Sequence, residues 1–374
     1  MINYLKVGAI WLTDTVNKLY DPFEKATYSH VQSLNELEED FFRDIRSRFV
    51  KDGHFAYELP LPADRGDCAL FQGLYTAMIN LKFPHDCTEV REANAALGNY
   101  FVNSTLIRGV REDGTFNDTT SNDSATGALF GLYCIWRRGT WEADHTIQRW
   151  ADRIIDANYA LTNLEGEPTK YGQLVDGWRT DPLRLVILLS ILKLAAVTCS
   201  GESVYQKHYD KLYRMYRPLL RYPKVRLLWL DTDYDTHRAA IHLHVLWSLT
   251  ADTVYADGLK RLSRITAKEN NAWVQLLCQP FGDGDYSILN TFHSPRRLLG
   301  NIESINNVES VKWGKRERAK AVLPIDHRGS QEFFWQRNMF SKDEWVGNTS
   351  AGAYHSGLDF LLAYWLGIRL GLLK

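Results

Sequence analysis

Helices of two kinds alternate along the chain, and their spacing is the feature that most restricts the possible folds. One kind is apolar on nearly every face and therefore needs protein on all sides, whereas the other carries charges on one face. The apolar helices begin near residues 67, 123, 181 and 235, which are 56, 58 and 54 residues apart. Another 113 residues, about two periods, separate 235 from the start of the last one near 348. Paired helices repeating at this length predict a closed or solenoidal array.

We predict an all-α fold, an (α/α)6 toroid with six inner and about six outer helices, built as a single domain over residues 1–374. An open α-solenoid is the alternative, although no consensus recurs from repeat to repeat. The predicted inner helices cover 68–82, 122–137, 180–198, 235–250, 271–280 and 349–371. The predicted outer helices cover 33–51, 89–107, 142–161, 202–221, 253–268 and 330–340.

The connections between the predicted helices differ in length according to their direction. Those that lead from an inner to an outer helix are short, whereas those that lead from an outer to an inner helix are long and cover 52–67, 108–121, 162–179 and 222–234. Long connections in compact domains often carry function. We therefore expect one elaborated end, where the inner helices begin, and we expect the irregular stretch 281–329 to form a rim or lid over it.

Charge and cysteine content exclude several classes of protein. The 44 basic and 45 acidic side chains give a formal charge of −1, so nucleic acid and anionic membrane are not expected partners. Five cysteines without a C-x-x-C pair indicate neither a disulfide framework nor a cysteine zinc site, and they fit a reducing compartment. The N-terminal residues lack the signal-peptide pattern, and the apolar stretches 185–199 and 358–373 are too short for a membrane span. We expect a cytoplasmic protein, with a virion-associated one as the alternative.

Acidic residues gather where the predicted inner helices begin. The members of this group are Asp64, Asp67, Asp123, Asp176, Asp181, Asp231, Asp233 and Asp235. Helix N-capping is the alternative explanation, and Asp181 before Pro182 has the pattern of a cap followed by proline at the first helical position. One cap per helix suffices, however, and several of these starts carry two or three carboxylates. Converging like charges need relief by shifted pKa values or bound cations, which makes the group a candidate functional site.

Paired carboxylates next to aromatic side chains suit the chemistry of glycoside hydrolysis. One carboxylic acid protonates the leaving oxygen, and a second carboxylate activates water or attacks the sugar. The chain holds 12 Trp, 19 Tyr and 16 Phe, and those in the long connections could stack on sugar rings, with core packing as the alternative role. We predict a hydrolase of an oligo- or polysaccharide without cofactor or metal. The candidate catalytic residues are Asp67 or Asp64 with Asp123, and Asp176 as the alternative base. The candidate substrate-binding residues are Trp178, Arg179, Asp181, Asp235, His237, Arg238, Tyr354 and His355.

Two known groups of enzymes resemble this chain. The alternating hairpins look like those of the six-hairpin toroid glycosidases, and residues 176–184 are similar, with one inserted residue, to the Asp-x-x-Arg-Thr-Pro-x-Arg stretch of inverting endoglucanases and chitosanases. The resemblance implies a cleft at the N-terminal ends of the inner helices and a base or substrate-contact role for Asp176. Residues 120–124 loosely resemble the sugar-binding Ala-Thr-Asp-x-Asp stretch of that family, whereas its acidic Ser-Glu-Gly-Gln stretch has no clear copy.

The second resemblance is to unsaturated glucuronyl and rhamnogalacturonyl hydrolases. These enzymes share the toroid and use two aspartates on neighbouring inner hairpins, to which Asp67 and Asp123 would correspond. The resemblance implies that His237, Arg238 or Arg179 would face the carboxylate of a uronate.

Other functions remain open on sequence grounds. A polysaccharide lyase or epimerase would use Tyr354 or His355 as its base and Arg238 to neutralise a uronate, and a non-catalytic carbohydrate-binding or phage-particle module would need no base. His237 and His244 are seven residues apart on one predicted helical face, so a metal site is a further alternative, although core histidines are expected there. The sequence has no Walker loop, dinucleotide fingerprint or nucleophile elbow.

Overall fold

The chain is predominantly helical, which confirms the all-α prediction in its coarse form. The computed structural model describes residues 34–56, 58–59, 66–139, 142–177, 180–199, 203–221, 233–266, 272–279, 310–313, 316–319, 354–355 and 357–373. Within these ranges the α-helices are α1 (Leu34–Asp44), α2 (Cys68–Lys82), α3 (Thr88–Gly98), α4 (Asn122–Arg137), α5 (Glu142–Asp156), α6 (Pro182–Val197), α7 (Val204–Leu220), α8 (Asp233–Thr250), α9 (Thr253–Thr266), α10 (Ala272–Leu277) and α11 (Leu358–Arg369). A π-helical turn, Ile45–Phe49, continues α1.

The strands are short and pair only as antiparallel two-stranded ribbons. They are β1 (Val50–Lys51), β2 (His54–Phe55), β3 (Glu58–Leu59), β4 (Phe101–Val102), β5 (Thr105–Leu106), β6 (Gly109–Val110), β7 (Phe116–Asn117), β8 (Ala160–Thr162), β9 (Pro168–Gln173), β10 (Ser310–Trp313), β11 (Arg316–Ala319) and β12 (Tyr354–His355). The pairs are β1–β2, β4–β5, β6–β7, β8–β9 and β10–β11, and β3 pairs with the distant β12. Most of them lie in the long connections that lead into apolar helices.

Eleven of the twelve predicted helices reach the described residues, each of these overlaps an observed helix, and two match at both ends, 68–82 and 122–137. The predictions 89–107 and 142–161 were too long, because the chain turns into a hairpin after each helix. Asn103 and Ser104, in the turn of β4–β5, and Asn158 and Tyr159, just before β8, adopt positive φ angles, which a continuing right-handed helix does not contain. The prediction 349–371 began too early, since Tyr354 and His355 belong to β12, whereas 330–340 lies outside the described residues.

The two classes of helix differ in burial as their composition predicts. From Leu185 to Leu192 in α6 every side chain is buried, whereas α5 and α7 bury one face and expose charges on the other. A helix whose side chains are buried on every face needs protein on all sides. Each fully buried Leu or Ile contributes about 1.5–3 kcal/mol to the stability of the fold. The apolar helices therefore form the interior, and the amphipathic ones cover it.

Helices α2 and α4 pack backbone against backbone through small residues. A β-carbon added to Gly127 would lie 2.1 Å from the carbonyl oxygen of Leu70, and one added to Gly73 would lie 2.1 Å from the carbonyl oxygen of Gly127. Gly131 faces Gly73 in the next turn, so the contact advances in the same direction along both helices. The two helices are therefore parallel, and their N-terminal ends lie at one level.

Helix α8 runs parallel to α4 as well. Successive contacts join Asp123 to Arg238, Thr126 to His242 and Tyr133 to Ser248, so both residue numbers rise together. Consequently the first turns of α2, α4 and α8 all lie at the same end of the molecule.

The last helix packs against the first two. Glu38 of α1 is buried and accepts hydrogen bonds from Lys82 Nζ of α2 at 2.7 Å and from Trp365 Nε1 of α11 at 3.0 Å. Arg369 Nε of α11 donates to the carbonyl of Leu81 at 2.6 Å, and β12 pairs with β3. The beginning and the end of the described chain are thereby held together.

The glycine contact predicts a large effect for a single methyl group. Gly127→Ala should lower the free energy of unfolding by about 3 kcal/mol or more, because a backbone carbonyl occupies the space of the added β-carbon. Urea denaturation followed by circular dichroism measures the change.

Gly98→Ala is the matched control, since nothing lies within 4 Å of a β-carbon at that helix end. It should leave stability unchanged or raise it by up to about 1 kcal/mol, because alanine is the better helix former. Equal stabilities of the two variants would contradict the close contact of α2 with α4.

Candidate functional site

Arg238, in the second turn of α8, lies at the centre of a group of carboxylates. Its Nη2 donates to Asp235 Oδ1, one helical turn earlier, and its Nε lies 3.4 Å from Asp123 Oδ1 at the start of α4. The charge of Asp181, at the start of α6, also acts on the guanidinium. We call these four residues the Arg238 cluster. It joins the N-terminal turns of three apolar helices, and it unites four residues that the sequence had singled out.

The electrostatics of the Arg238 cluster favour a charged guanidinium. Burial by itself lowers the pKa of Arg238, but the carboxylates of Asp123, Asp235 and Asp181 outweigh it, so the pKa is raised above its ordinary value. The arginine side chain is only 13% exposed, whereas those of Asp123 and Asp235 are 30% and 29% exposed. Among the described residues, three carboxylates act on this one guanidinium, and those of Asp123 and Asp235 are more exposed to solvent than the arginine.

Local capping explains why Asp123 is available for this contact. Ser121 is the N-cap of α4, and its hydroxyl accepts from the backbone N–H of Ser124 at 3.2 Å, so Asp123 in the first turn is not the cap. Asp181 differs, because its Oδ1 accepts from the N–H of Leu183 at 2.9 Å ahead of Pro182. The N-cap interpretation of Asp181 is confirmed, and its charge reaches Arg238 in addition.

A buried polar layer lies one turn below the Arg238 cluster. His242 is fully buried, with Nδ1 2.6 Å from Ser190 Oγ of α6 and Nε2 2.9 Å from Thr126 Oγ1 of α4. The imidazole therefore bridges the same three helices as the cluster above it. Both ring nitrogens have a hydrogen-bond partner, one on α4 and one on α6. A shift of α4, α6 or α8 along its axis would break one of these hydrogen bonds, so the layer fixes the positions of the three helices relative to one another.

The protonation state of His242 follows from its surroundings. Burial, and secondly the charge of Arg238, lower its pKa to about 3, so the ring is neutral at physiological pH. A neutral ring donates from one nitrogen and accepts at the other. The hydroxyl of Thr126 also lies 2.7 Å from the carbonyl oxygen of Asn122, and that of Ser190 lies 2.8 Å from the carbonyl oxygen of Ile187. Each hydroxyl has one proton to donate. The hydroxyl next to the accepting ring nitrogen must therefore donate to the ring instead of to the carbonyl of its own helix.

The other predicted residues have different surroundings. Asp67, at the N-cap position of α2, accepts from Arg108 Nη2 at 3.0 Å, while Arg108 Nε donates to the carbonyl of Gly66 at 2.5 Å. Asp176 is exposed, and its backbone N–H binds Thr180 Oγ1 at 3.0 Å. His237 is fully buried in the first turn of α8. The structure thus unites Asp123, Asp181, Asp235 and Arg238, and it pairs Asp67 with a different arginine.

Part of the predicted site lies outside the described residues. This applies to Asp64, Trp178 and Arg179, and to the side chains of Tyr354 and His355, whose backbone forms β12. The segment 281–329, predicted as an irregular rim, includes the hairpin β10–β11 within its described residues.

Sequence reasoning missed the residues that support the cluster from below. His242, Thr126 and Ser190 are buried polar side chains below the cluster. Arg108, which sequence reasoning also missed, is half-buried and pairs with Asp67 instead. The available signal was spacing, because His242 follows Arg238 by four residues and Thr126 follows Asp123 by three, which places each on the same face of its helix. His244, considered with His237 as a metal pair, instead has Nδ1 2.9 Å from the carbonyl of Leu277.

The described residues hold no group of three or more His, Cys, Asp or Glu side chains arranged to bind a metal ion. Among those same residues, no helix has both the length and the apolarity required to cross a membrane. Comparison with protein-family models, with curated proteins and with solved structures finds no match to this chain.

Removal of the central cation should destabilise the fold strongly. Arg238→Met should lower the free energy of unfolding by about 3 kcal/mol or more, because it removes the buried cation that pairs with the carboxylates of Asp123 and Asp235. Chemical denaturation at pH 7 measures the loss.

Arg221→Met provides the comparison, since Arg221 pairs with Asp257 at 3.1 Å on the surface, where both side chains are half exposed. That pair should contribute less than about 1 kcal/mol. A loss for Arg238→Met no larger than for Arg221→Met would show that the cluster is not stabilising.

The buried imidazole predicts a specific dependence of stability on pH. Unfolded His242 binds a proton below its ordinary pKa of 6.5, whereas the folded one does so only near pH 3, so acid favours the unfolded state throughout this interval. In His242→Gln this contribution is absent. The stability difference between the parent protein and the variant should therefore shrink by about 2 kcal/mol between pH 7 and pH 5.

Denaturant midpoints at several pH values measure this difference. It should change by only about 0.1 kcal/mol between pH 7 and pH 8, where the imidazole is neutral in the folded state and mostly neutral in the unfolded state. A difference that is also constant down to pH 5 would refute a buried neutral His242.

Proposed function

We propose that the chain forms an (α/α)6 toroid whose inner ring consists of α2, α4, α6, α8, α10 and α11. Two observations support closure over an open solenoid. Each of these helices contacts the next, and α11 contacts α2. In addition, Glu38 links α1, α2 and α11, whereas the two ends of a solenoid lie far apart.

We further propose that the protein is a glycoside hydrolase acting on an oligo- or polysaccharide at the end where the inner helices begin. The observation that carries this proposal is the Arg238 cluster, in which carboxylates from three helix starts converge on one guanidinium and those of Asp123 and Asp235 are partly exposed to solvent. Structural capping accounts for Asp181 but not for Asp123 or Asp235. Glycoside cleavage requires two carboxyl groups close together, and the starts of these helices bring carboxylates together.

In this proposal Asp123 is the base. Its Oδ1 forms an ion pair with Arg238 Nε at 3.4 Å without a hydrogen bond, and the second oxygen is the one proposed to accept a proton from water. Asp67 is the proposed second carboxyl group of the pair, because α2 and α4 are parallel and packed in register, so Asp67 and Asp123 begin neighbouring helices at the same level. Asp235 shares the guanidinium and keeps it in place when substrate binds.

The position of Arg238 argues against the lyase alternative. A lyase or epimerase needs a cation free to neutralise the carboxylate of a uronate, whereas Arg238 is 13% exposed and already surrounded by carboxylates. The exposed aromatic side chains Phe116 and Tyr171, in the connections that lead into α4 and α6, would suit either a hydrolase or a binding module. Catalytic turnover distinguishes a hydrolase from a binding module.

The first experiment is a screen of the purified protein against a panel of polysaccharides, scored by the release of reducing ends. Hydrolysis should release them without the absorbance of an unsaturated uronide, which a lyase would produce. On the substrate so found, Asp123→Asn should lower kcat by about a thousandfold, because the amide cannot accept the proton. Its melting temperature should change little, since Asp235 still binds Arg238.

Asp257→Asn is the matched control, because Asp257 is a half-exposed aspartate paired with an arginine at the surface. It should keep full activity. Full activity of both Asp123→Asn and Asp67→Asn would refute the assigned pair. Glycan binding without turnover on any member of the panel would refute the hydrolase in favour of a binding module.

A further inference from the structure

The outer surface of helices α7 and α9 concentrates positive charge, although the whole chain has a formal charge of −1. The two helices lie side by side, since the hydroxyls of Tyr209 and Tyr255 are 2.7 Å apart. Along α7 with its C-cap and along α9, the described residues include seven exposed cations and one exposed carboxylate, that of Asp257. The cations are Lys207, Lys211, Arg214, Arg217, Arg221, Lys260 and Arg264. We call this surface the basic face.

The helical repeat arranges these cations in rows. Lys207, Arg214 and Arg221 are seven residues apart, so they lie on one side of α7 at intervals of about 10 Å along its axis. Lys260 and Arg264, four residues apart, form a second and shorter row on α9. The basic face is therefore about 20 Å long and carries cations on both helices.

Most of this charge is not neutralised within the described structure. Asp257 is engaged by Arg221 at 3.1 Å. The half-buried Asp210 and Asp252 accept hydrogen bonds from uncharged groups, those of Gln206 and Tyr213. The cations that form no ion pair with any described residue are Lys211, Arg214, Lys260 and Arg264. Their charges are available to a partner.

The remaining exposed residues indicate which kind of partner fits. The large apolar side chains exposed on α7 are those of Val204 and Met215, and no described exposed side chain of α7 or α9 is aromatic. Helices that bind a membrane surface insert aromatic or leucine side chains, and single-stranded nucleic acid stacks on exposed rings. Rows of cations without such side chains fit a linear polyanion that is held by its charged groups.

The basic face runs toward the end of the molecule that carries the Arg238 cluster. Helix α7 is antiparallel to α6, because Gln206 near its start accepts from Lys193 Nζ of α6 at 2.9 Å, whereas Tyr216 near its end accepts from Thr180 just before α6 begins. Arg221 therefore lies near the level at which α6 starts, and the N-cap of α6 belongs to the cluster. A polymer that lies along α7 would extend to this end.

We propose that the basic face binds an acidic polysaccharide, whose carboxylate groups contact the lysine and arginine side chains of α7 and α9. The choice of a polysaccharide among linear polyanions rests on the proposed hydrolase function and on the direction of the face toward the Arg238 cluster. The positive charge of the face does not depend on that function, so binding is measurable without turnover.

Titration with fluorescently labelled polygalacturonate, followed by fluorescence anisotropy, tests the proposal. Binding should be saturable, and it should weaken by about tenfold or more between 0.1 M and 1 M NaCl, because the Debye length falls from about 10 Å to about 3 Å. Pullulan, a polysaccharide without charge, should not compete with the probe.

Lys211→Glu combined with Arg214→Glu should weaken binding of the probe by about tenfold or more, because two attractive charges become repulsive. Lys51→Glu combined with Arg149→Glu is the matched control, since it changes the net charge equally at exposed positions outside the basic face. This control should leave binding unchanged. Melting temperatures measured without the probe show whether each variant is folded.

The absence of saturable binding, or equal binding by the two double variants, would overturn the proposal. Tighter binding of duplex DNA, polyglutamate or phosphatidylserine vesicles would overturn it as well, and would assign the basic face to nucleic acid, an acidic protein or a membrane. Binding of polygalacturonate by a protein that cleaves no polysaccharide would contradict only the hydrolase. Cleavage of a polysaccharide without binding at the basic face would contradict only this proposal.

Discussion

Helices α2 and α4 approach so closely that a backbone carbonyl of each lies where a β-carbon of the other would be, at Gly73 and Gly127. A contact of this kind admits one register, because a shift along the axis would bring larger side chains into the same space. The two helices are therefore held parallel with their first turns level. The polar contacts of α8 with α4 extend the same arrangement, and the described site depends on this common level of helix starts.

Because the helices begin at the same level, the aspartates in their N-cap positions and first turns lie close together. Their negative charges need a positive charge nearby. Arg238 supplies it, since the carboxylates of Asp123, Asp235 and Asp181 raise its pKa although burial lowers it. Below the guanidinium, His242 stays neutral because burial and the same positive charge lower its pKa to about 3. The site thus has two levels, a charged one open to solvent and an uncharged one that joins Thr126, His242 and Ser190 across three helices.

Most of the helical framework could be predicted because its signals are local. The apolar runs of α2 and α4 and the cap at Asp181 before Pro182 are visible in a few consecutive residues. The short strands were missed because they depend on turns at Asn103–Ser104 and on a partner far along the chain, as in β3 with β12. In the site, a surplus of aspartates indicated where charges gather, but not that Asp67 would pair with Arg108 while Asp123 pairs with Arg238.

The sequence by itself determined which helices are buried and where most of them begin, because periodicity, glycine and capping act within one segment. It also placed carboxylates at those beginnings. Only the tertiary structure decided which carboxylate meets which arginine and that His242 bridges three helices. Each of these results depends on the distance and orientation between segments far apart in the chain, and packing between helices sets both.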